Sequence, residues 1–184
     1  RQLLLRDGRV GICAGARFGR RRSHAVGLAG REENVWVEDL GVASDGTGTW
    51  TAQADAGGKE IGAMGGEAKA HGANGTGADQ VKDMVDQAIA KWGKVVILVC
   101  NAGILRDKTF AKMGMADFRK VVDVHLIGSA NVAHACWPIM REPKSGPIVS
   151  PSSGSGLHGH CRRSNHGAAQ AWTAGAGTVV RPGR

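Results

Sequence analysis

The sequence predicts an α/β domain in which a central parallel sheet carries helices on both faces, a doubly wound arrangement. The strongest observation is the apolar run at residues 95–100 (VVILVC), which stops sharply at Asn101, Ala102 and Gly103. A run of this length that is rich in Val and Ile is typical of a strand buried on both faces. A helical pattern precedes this run directly, and a longer one follows it. The length of 184 residues fits one domain, 1–184.

Residues 9–13 (RVGIC) form a short apolar run that predicts the first strand. A glycine-bearing turn (AGARFGR) follows it, and the next segment can be helical to about Ala29. A strand, a glycine turn and a helix in this order let main-chain N–H groups and a helix N-terminus hold a pyrophosphate. Gly15 and Gly19 are the candidate residues for this role, although their spacing is equally compatible with an ordinary turn.

Residues 34–40 (NVWVEDL) predict a second strand that ends in acidic residues. Asp39 follows Gly19 by 20 residues. A carboxylate at this spacing typically accepts a hydrogen bond from the 2′-hydroxyl of an adenosine ribose and disfavours a 2′-phosphate. The spacing therefore favours NAD over NADP as the coenzyme. The alternative is an acid exposed to solvent at the end of a strand.

Two amphipathic helices flank the central strand. Residues 78–92 carry apolar side chains at i, i+3, i+4 and i+7 and end at Gly93. Residues 116–140 repeat the pattern over a longer stretch, and Pro138 is expected to begin the termination of that helix. His125 lies on the apolar face, where a core or interface histidine is the usual explanation.

Composition limits the classes of partner. The net charge of +8 suits a polyanion, but no nucleic-acid-binding motif accompanies the arginines and aromatic residues are scarce, so nucleic-acid binding is a minor hypothesis. The four cysteines show no metal-ligand spacing, which predicts free thiols in a reducing compartment and no metal site. No apolar run approaches ~18 residues and no signal-peptide pattern is present. We therefore expect a cytoplasmic protein that does not bind membranes.

Several motifs resemble those of the short-chain dehydrogenase/reductase family. NAG after a buried strand, followed by ILRDKTF, is the most specific of them, and EDLG with the later DGTG is similar to the (3R)-hydroxyacyl-CoA dehydrogenase unit of multifunctional enzyme type 2 and to bacterial 3-oxoacyl reductases. The resemblance implies a Rossmann-type fold with a second helix and third strand within residues 51–77. It also implies an NAD(H) site that includes Asn101, Ala102 and Gly103, and a 3-hydroxyacyl thioester or a similar alcohol as substrate. Pairing into dimers or tetramers through helix 116–140 and a peroxisomal location in a eukaryote are further implications.

The resemblance also places the active-site block, and there the chain departs from the family pattern. Ser153 aligns with the Ser that binds the substrate carbonyl oxygen, and His125 with the Asn of the long helix. His166 and Gln170 stand where the family has its catalytic Tyr and Lys, and the chain contains no Tyr. Impaired activity or a catalytically silent dinucleotide-binding relative is therefore expected. The family continues with further strands and a substrate lid, so the resemblance implies a C-terminally truncated domain.

Overall fold

Five parallel strands form the sheet in the order β3-β2-β1-β4-β5 within the part of the chain that the computed structural model describes. That part comprises residues 10–15, 19–29, 34–40, 43, 45–47, 59, 61–63, 67–141 and 146–179. The strands are β1 (Val10–Ala14), β2 (Asn34–Glu38), β3 (Ala68–His71), β4 (Ile97–Cys100) and β5 (Ile148–Val149). This order and the parallel pairing confirm the doubly wound α/β prediction.

The central strand lies where the sequence predicts it. β4 pairs with β1 on one side and with β5 on the other, and all four of its residues are buried. Apolar side chains leave the sheet on both faces because helices cover both of them. On one face Ile12, Trp36 and Leu98 share a core with the helices that flank the central strand. On the other face Val35, Val37 and Val99 form a second core, to which the helix after β1 contributes alanines.

The helices are α1 (Gly19–Ala29), α2 (Ala78–Trp92), α3 (Met115–Val122), α4 (Gly128–Arg141), α5 (Gly154–His158) and α6 (Ser164–Val179). The predicted bounds of α2 are confirmed, and Gly93 ends this helix with φ +73° while its N–H donates to the carbonyl of Ile89. A left-handed glycine is a common way to end a helix, because it satisfies a carbonyl without the strain of a Cβ.

The long helix differs in two respects from the prediction for residues 116–140. A π-helical turn, Asp123–Ile127, joins α3 to α4. Pro138 lies inside α4, which continues to Arg141 rather than ending at the proline. A proline within a helix costs ~3 kcal/mol, and the full burial of Cys136 and Met140 on either side of it offsets that cost.

The structure describes part of residues 51–77, where the family resemblance implies a second helix and a third strand. The third strand is present as β3, and helical residues at 59 and 61–63 lie where the second helix is expected. The serine- and glycine-rich stretch after β5 contains the short helix α5. None of the four cysteines forms a disulfide, and burial raises the pKa of Cys100 and of Cys136 to about 12. In the described part of the chain, no helix is both long and apolar enough to span a membrane.

Candidate active site

The carboxyl ends of three strands meet at one edge of the sheet. The N–H of Gly15, just after β1, donates to the carbonyl oxygen of Glu38 at the end of β2, at 2.7 Å. The N–H of Asn101, just after β4, donates to the carbonyl of Ala14, at 3.2 Å. In open parallel sheets ligands bind in the crevice beyond this edge, and the predicted cofactor residues Gly15, Asp39 and Asn101 directly follow three of its strands.

Gly15 occupies a position that only glycine fits. Its φ is +70°, and a Cβ on it would lie 2.4 Å from the Cα and 2.7 Å from the amide nitrogen of Ala102. At Gly15 the chain therefore approaches the main chain of Ala102 closely. Gly19 is the first residue of α1, so a helix N-terminus follows β1 as the glycine-turn prediction requires. Residues 16–18 lie outside the described residues.

Two adjacent carboxylates end β2. Asp39 is buried, with 8% of its surface exposed, and its N–H donates to the carbonyl of His71, so the alternative of an exposed acid is wrong. Glu38 is buried more deeply, and its Oε2 has no hydrogen-bond partner among the described residues. Burial, and secondarily the charge of Asp39, raise the pKa of Glu38 from 4.5 to about 8. The sequence analysis did not identify Glu38 as a site residue.

Asn101 presents a hydrogen-bond donor at the same edge. Its Nδ2 is buried and has no partner among the described residues. Buried polar groups are nearly always paired, so an unpaired donor beside a crevice is a place where a ligand oxygen would fit.

Gly103 allows His125 to approach the loop after β4. A Cβ at position 103 would lie 2.3 Å from Cε1 of His125. The Nε2 of His125 lies 2.8 Å from the carbonyl oxygen of Ile104 and 3.1 Å from its amide nitrogen. His125 sits in the π-helical turn, a type of irregularity that is frequent at functional sites.

His125, His166 and Gln170 are in direct contact, although 41 to 45 positions separate His125 from the other two in the sequence. The rings of His125 and His166 meet edge to face with their centroids 4.7 Å apart. The Nε2 of Gln170 lies 2.9 Å from Nδ1 of His125. Two further atoms of this cluster, Nδ1 of His166 and Oε1 of Gln170, are buried without a partner among the described residues.

The environment of His166 favours its neutral form. Burial is the main cause that lowers the pKa of His166, and the positive charge of Arg163 lowers it further, while Asp107 acts in the opposite direction. Arg163 Nε itself pairs with Asp107 Oδ2 at 2.7 Å. An imidazole of this kind is uncharged at neutral pH and can accept a proton.

The loop after the Asn101–Gly103 segment fixes the start of α6. The amide of Asn165 donates to the carbonyl of Arg106 at 3.0 Å, and its Oδ1 accepts from the N–H of His166 at 2.7 Å. The sequence analysis did not identify Asn165 as a site residue, and it did not predict the contact between Arg163 and Asp107. No local signal indicates either one, because both contacts join segments more than 50 residues apart.

Ser153 lies at the start of the short helix that packs against α6. It is the N-cap of α5, and its Oγ accepts from the N–H of Ser155 at 3.2 Å. This is a common capping interaction that satisfies an orphan donor of the helix. Within the described residues, no hydrogen bond joins the Ser153 hydroxyl to His125, His166 or Gln170, so its predicted contact with a substrate oxygen stays a prediction.

A family model for short chain dehydrogenases matches residues 47–176, well over half of the chain. The chain is a member of this family. The match covers the β4 edge, the π-helical turn and the start of α6, which carry the cluster described above.

Several proteins are similar to most of the chain. It is 41% identical, over 88% of the chain, to a Mycobacterium tuberculosis protein named as a short-chain type dehydrogenase/reductase, and covers 57% of that protein. It is 38% identical to the peroxisomal multifunctional enzyme type 2 of Drosophila melanogaster over 95% of the chain and 29% of that enzyme. It is 34% identical to a Thermotoga maritima 3-oxoacyl-acyl-carrier-protein reductase over 64% of the chain and 48% of the reductase. These relatives confirm the resemblance that the sequence motifs indicate.

A solved structure extends the comparison. A 7α-hydroxysteroid dehydrogenase in complex with NADH and 7-oxo glycochenodeoxycholic acid superposes with a TM-score of 0.83 at 28% identity. The superposition covers 94% of the chain and 64% of the hydroxysteroid dehydrogenase. The chain thus spans less than two thirds of the length of each of these proteins.

Proposed function

We propose that this short-chain dehydrogenase is an NAD-dependent oxidoreductase that interconverts a 3-hydroxyacyl and a 3-oxoacyl thioester. The observation that carries the proposal is the contact of His166 and Gln170 with His125, directly beside Gly103 at the carboxyl edge of the sheet. A proton-exchanging side chain thereby lies next to the crevice in which the family resemblance places a dinucleotide.

The residues at the crevice fit a dinucleotide. Gly15 leaves room where a Cβ would fill the turn, Gly19 opens a helix N-terminus, and Nδ2 of Asn101 is an unpaired donor. Asp39 would accept from the adenosine ribose and repel a 2′-phosphate, which favours NAD over NADP. The bound coenzyme supplies a nicotinamide ring that takes or gives a hydride. Binding of NADH by the hydroxysteroid dehydrogenase supports this assignment.

His166 is the residue that we assign to proton exchange. In the oxidative direction the hydrogen on the carbinol carbon would be transferred as a hydride to the oxidised nicotinamide, and the hydroxyl proton would pass to the neutral imidazole of His166. In the reductive direction His166 must first be protonated, which its lowered pKa disfavours. Because Gln170 carries no charge with which to tune its neighbour, we expect slower turnover than a Tyr–Lys pair would give. A general acid or base contributes typically ~10²–10⁴-fold.

The substrate class rests on the relatives. The motif resemblance points to a (3R)-hydroxyacyl thioester, and one relative is named as a reductase of a 3-oxoacyl group carried by a protein. We assign Ser153 the role of holding the substrate oxygen, on the resemblance alone. Reduced cysteines and the peroxisomal relative support a cytoplasmic or peroxisomal location.

Coenzyme binding and turnover test the proposal separately. Titration of the protein with NADH should quench the fluorescence of Trp36, which is buried in β2 two residues before Glu38, and NADPH should bind more weakly. A 3-oxoacyl thioester should be reduced slowly, and His166→Ala should abolish that rate. The double variant His166→Tyr with Gln170→Lys should raise it. The proposal fails if neither coenzyme binds, or if His166→Ala leaves the rate unchanged.

A second candidate is a catalytically silent dinucleotide-binding relative that pairs through the long helix. The absence of Tyr favours it, and Ile127 exposes 43% of its surface at the junction of the π-helical turn and α4. This candidate predicts NADH binding without turnover, and a dimer or tetramer in sedimentation experiments. The function that we propose first also allows a dimer or tetramer, so turnover is the measurement that separates the two candidates.

A further inference from the structure

We propose that Gln170 is a positioning residue that acts through His125. Its amide holds the His125 imidazole in the tautomer whose Nε2 donates to the carbonyl oxygen of Ile104. The His125 ring in turn orients His166. Only the kinetic part of this proposal rests on the proposed function. The structural part concerns contacts within the chain and is tested without turnover.

The contacts of His125 fit two tautomers, and the Gln170 amide selects between them. The Nε2 of Gln170 lies 2.9 Å from Nδ1 of His125, and an amide NH₂ can only donate, so in this arrangement Nδ1 accepts and carries no proton. The single proton of the neutral ring is then on Nε2, which donates to the carbonyl oxygen of Ile104 at 2.8 Å. The other contact of Nε2, to the amide nitrogen of Ile104 at 3.1 Å, would require the opposite tautomer. Gln170 therefore selects the donor role of Nε2.

The contact with His125 occupies the donor side of the Gln170 amide. Oε1, which is buried with no partner among the described residues, is the acceptor that remains for a coenzyme hydroxyl. The family resemblance implies a Lys here, whose ammonium would face the nicotinamide ribose. An uncharged amide that bonds to a neighbouring ring is instead an internal support.

The His125 ring contacts two other parts of the site, His166 and Gly103. Its edge-to-face contact with His166 positions a ring whose own Nδ1 has no partner among the described residues. Its Cε1 occupies the space above Gly103, where a Cβ would be only 2.3 Å away. The Gln170 amide thus connects α6 to the loop after β4 through a single imidazole.

Four side chains of similar length at position 170 separate the possibilities. Gln170→Lys offers donors only, Gln170→Glu offers acceptors only, and Gln170→Met offers neither, so these three are matched to the Gln of the natural chain. Imidazole nitrogen NMR, with the His125 signals assigned by their loss in His125→Gln, reads the tautomer directly. The natural chain and Gln170→Lys should show a protonated Nε2 and an unprotonated Nδ1. Gln170→Glu should place a proton on Nδ1, and Gln170→Met should give a mixture.

Kinetics distinguish positioning from coenzyme binding. We expect Gln170→Met and Gln170→Glu to lower kcat about tenfold, the effect of losing one hydrogen bond of ordinary strength, with the NADH Kd changed less than about twofold. Gln170→Lys should retain kcat, because its ammonium still donates to Nδ1. If the His125 spectrum is the same with Gln and with Met, or if the Met variant weakens NADH binding while the spectrum stays unchanged, the proposal is overturned. If the natural chain shows no turnover, the proposed function fails and the spectra alone decide the role of Gln170.

Discussion

The buried carboxyl of Glu38 gives a prediction about stability and pH. A pKa raised from 4.5 to about 8 means that the folded chain binds a proton that the unfolded chain has already released between those values. With respect to this group, the free energy of unfolding should therefore be largest below pH 4.5 and fall as the pH rises from 4.5 to 8. The difference between the two pKa values corresponds to about 5 kcal/mol at pH 8 and above. That amount is comparable to the entire stability of many domains.

Replacing Glu38 by Gln removes the titration while it keeps the shape of the side chain. Urea unfolding followed by far-UV circular dichroism at pH 5, 7 and 9 should show nearly equal stability of the two proteins at pH 5. At pH 9 the variant should be more stable by up to about 5 kcal/mol.

The matched control is the same substitution at Glu67, which is half exposed and pairs with Lys91. The hydrogen bond from Lys91 is the main cause that lowers the pKa of Glu67, so Glu67→Gln should not gain stability as the pH rises. Parallel curves for the natural chain and Glu38→Gln between pH 5 and 9 would refute the reasoning, because they would show that Glu38 ionises freely in the folded state.

Three further predictions concern the glycines of the site and the thiols. Gly103→Ala should displace the His125 ring, because the new Cβ would lie 2.3 Å from it, and should lower stability by about 1–3 kcal/mol in thermal unfolding; an unshifted His125 nitrogen spectrum would contradict this. Gly15→Ala should weaken NADH binding in the fluorescence titration at least tenfold, since a Cβ at φ +70° meets the main chain of Ala102, and an unchanged Kd would count against the proposed crevice. Cys161 should be the only thiol that a disulfide reagent modifies rapidly at pH 8 in the native state, with all four reacting after denaturation, because the other three are buried; fast reaction of a second thiol would contradict the core packing.

The parts of the fold that the sequence predicts well are those in which one period dominates. The run at residues 95–100 has no polar interruption and α2 repeats its apolar stripe without a break, so β4 and α2 appear where they are expected. The pattern of β2 was less informative. Asn34, Trp36 and Glu38 alternate with valines, which suggests a half-solvated strand, yet a parallel sheet covered on both faces buries Glu38 as well.

The sequence proposes the three residues of this cluster as candidates one by one, but it does not predict their contacts with one another. Motif resemblance places His125, His166 and Gln170, and the structure brings the three together. The hydrogen bond between Gln170 and His125 joins residues 45 positions apart and depends on the direction of an amide, which no local pattern encodes. The sequence pattern also does not predict the π-helical turn. An apolar stripe of helical period does not reveal a local change in the number of residues per turn.

The places where glycine lets main chain touch main chain restrict how this site can change during evolution. Gly15 against Ala102, Gly156 against Ala171 and Gly167 against the carbonyl of Ser155 are all contacts in which a Cβ would lie within 2.8 Å of a neighbouring main-chain atom. Any side chain at these positions must push a strand end or a helix aside. A lineage that acquires a new substrate or coenzyme therefore has to do so through the residues between these contacts, Asp39 and His166 among them, while the glycine framework stays the same.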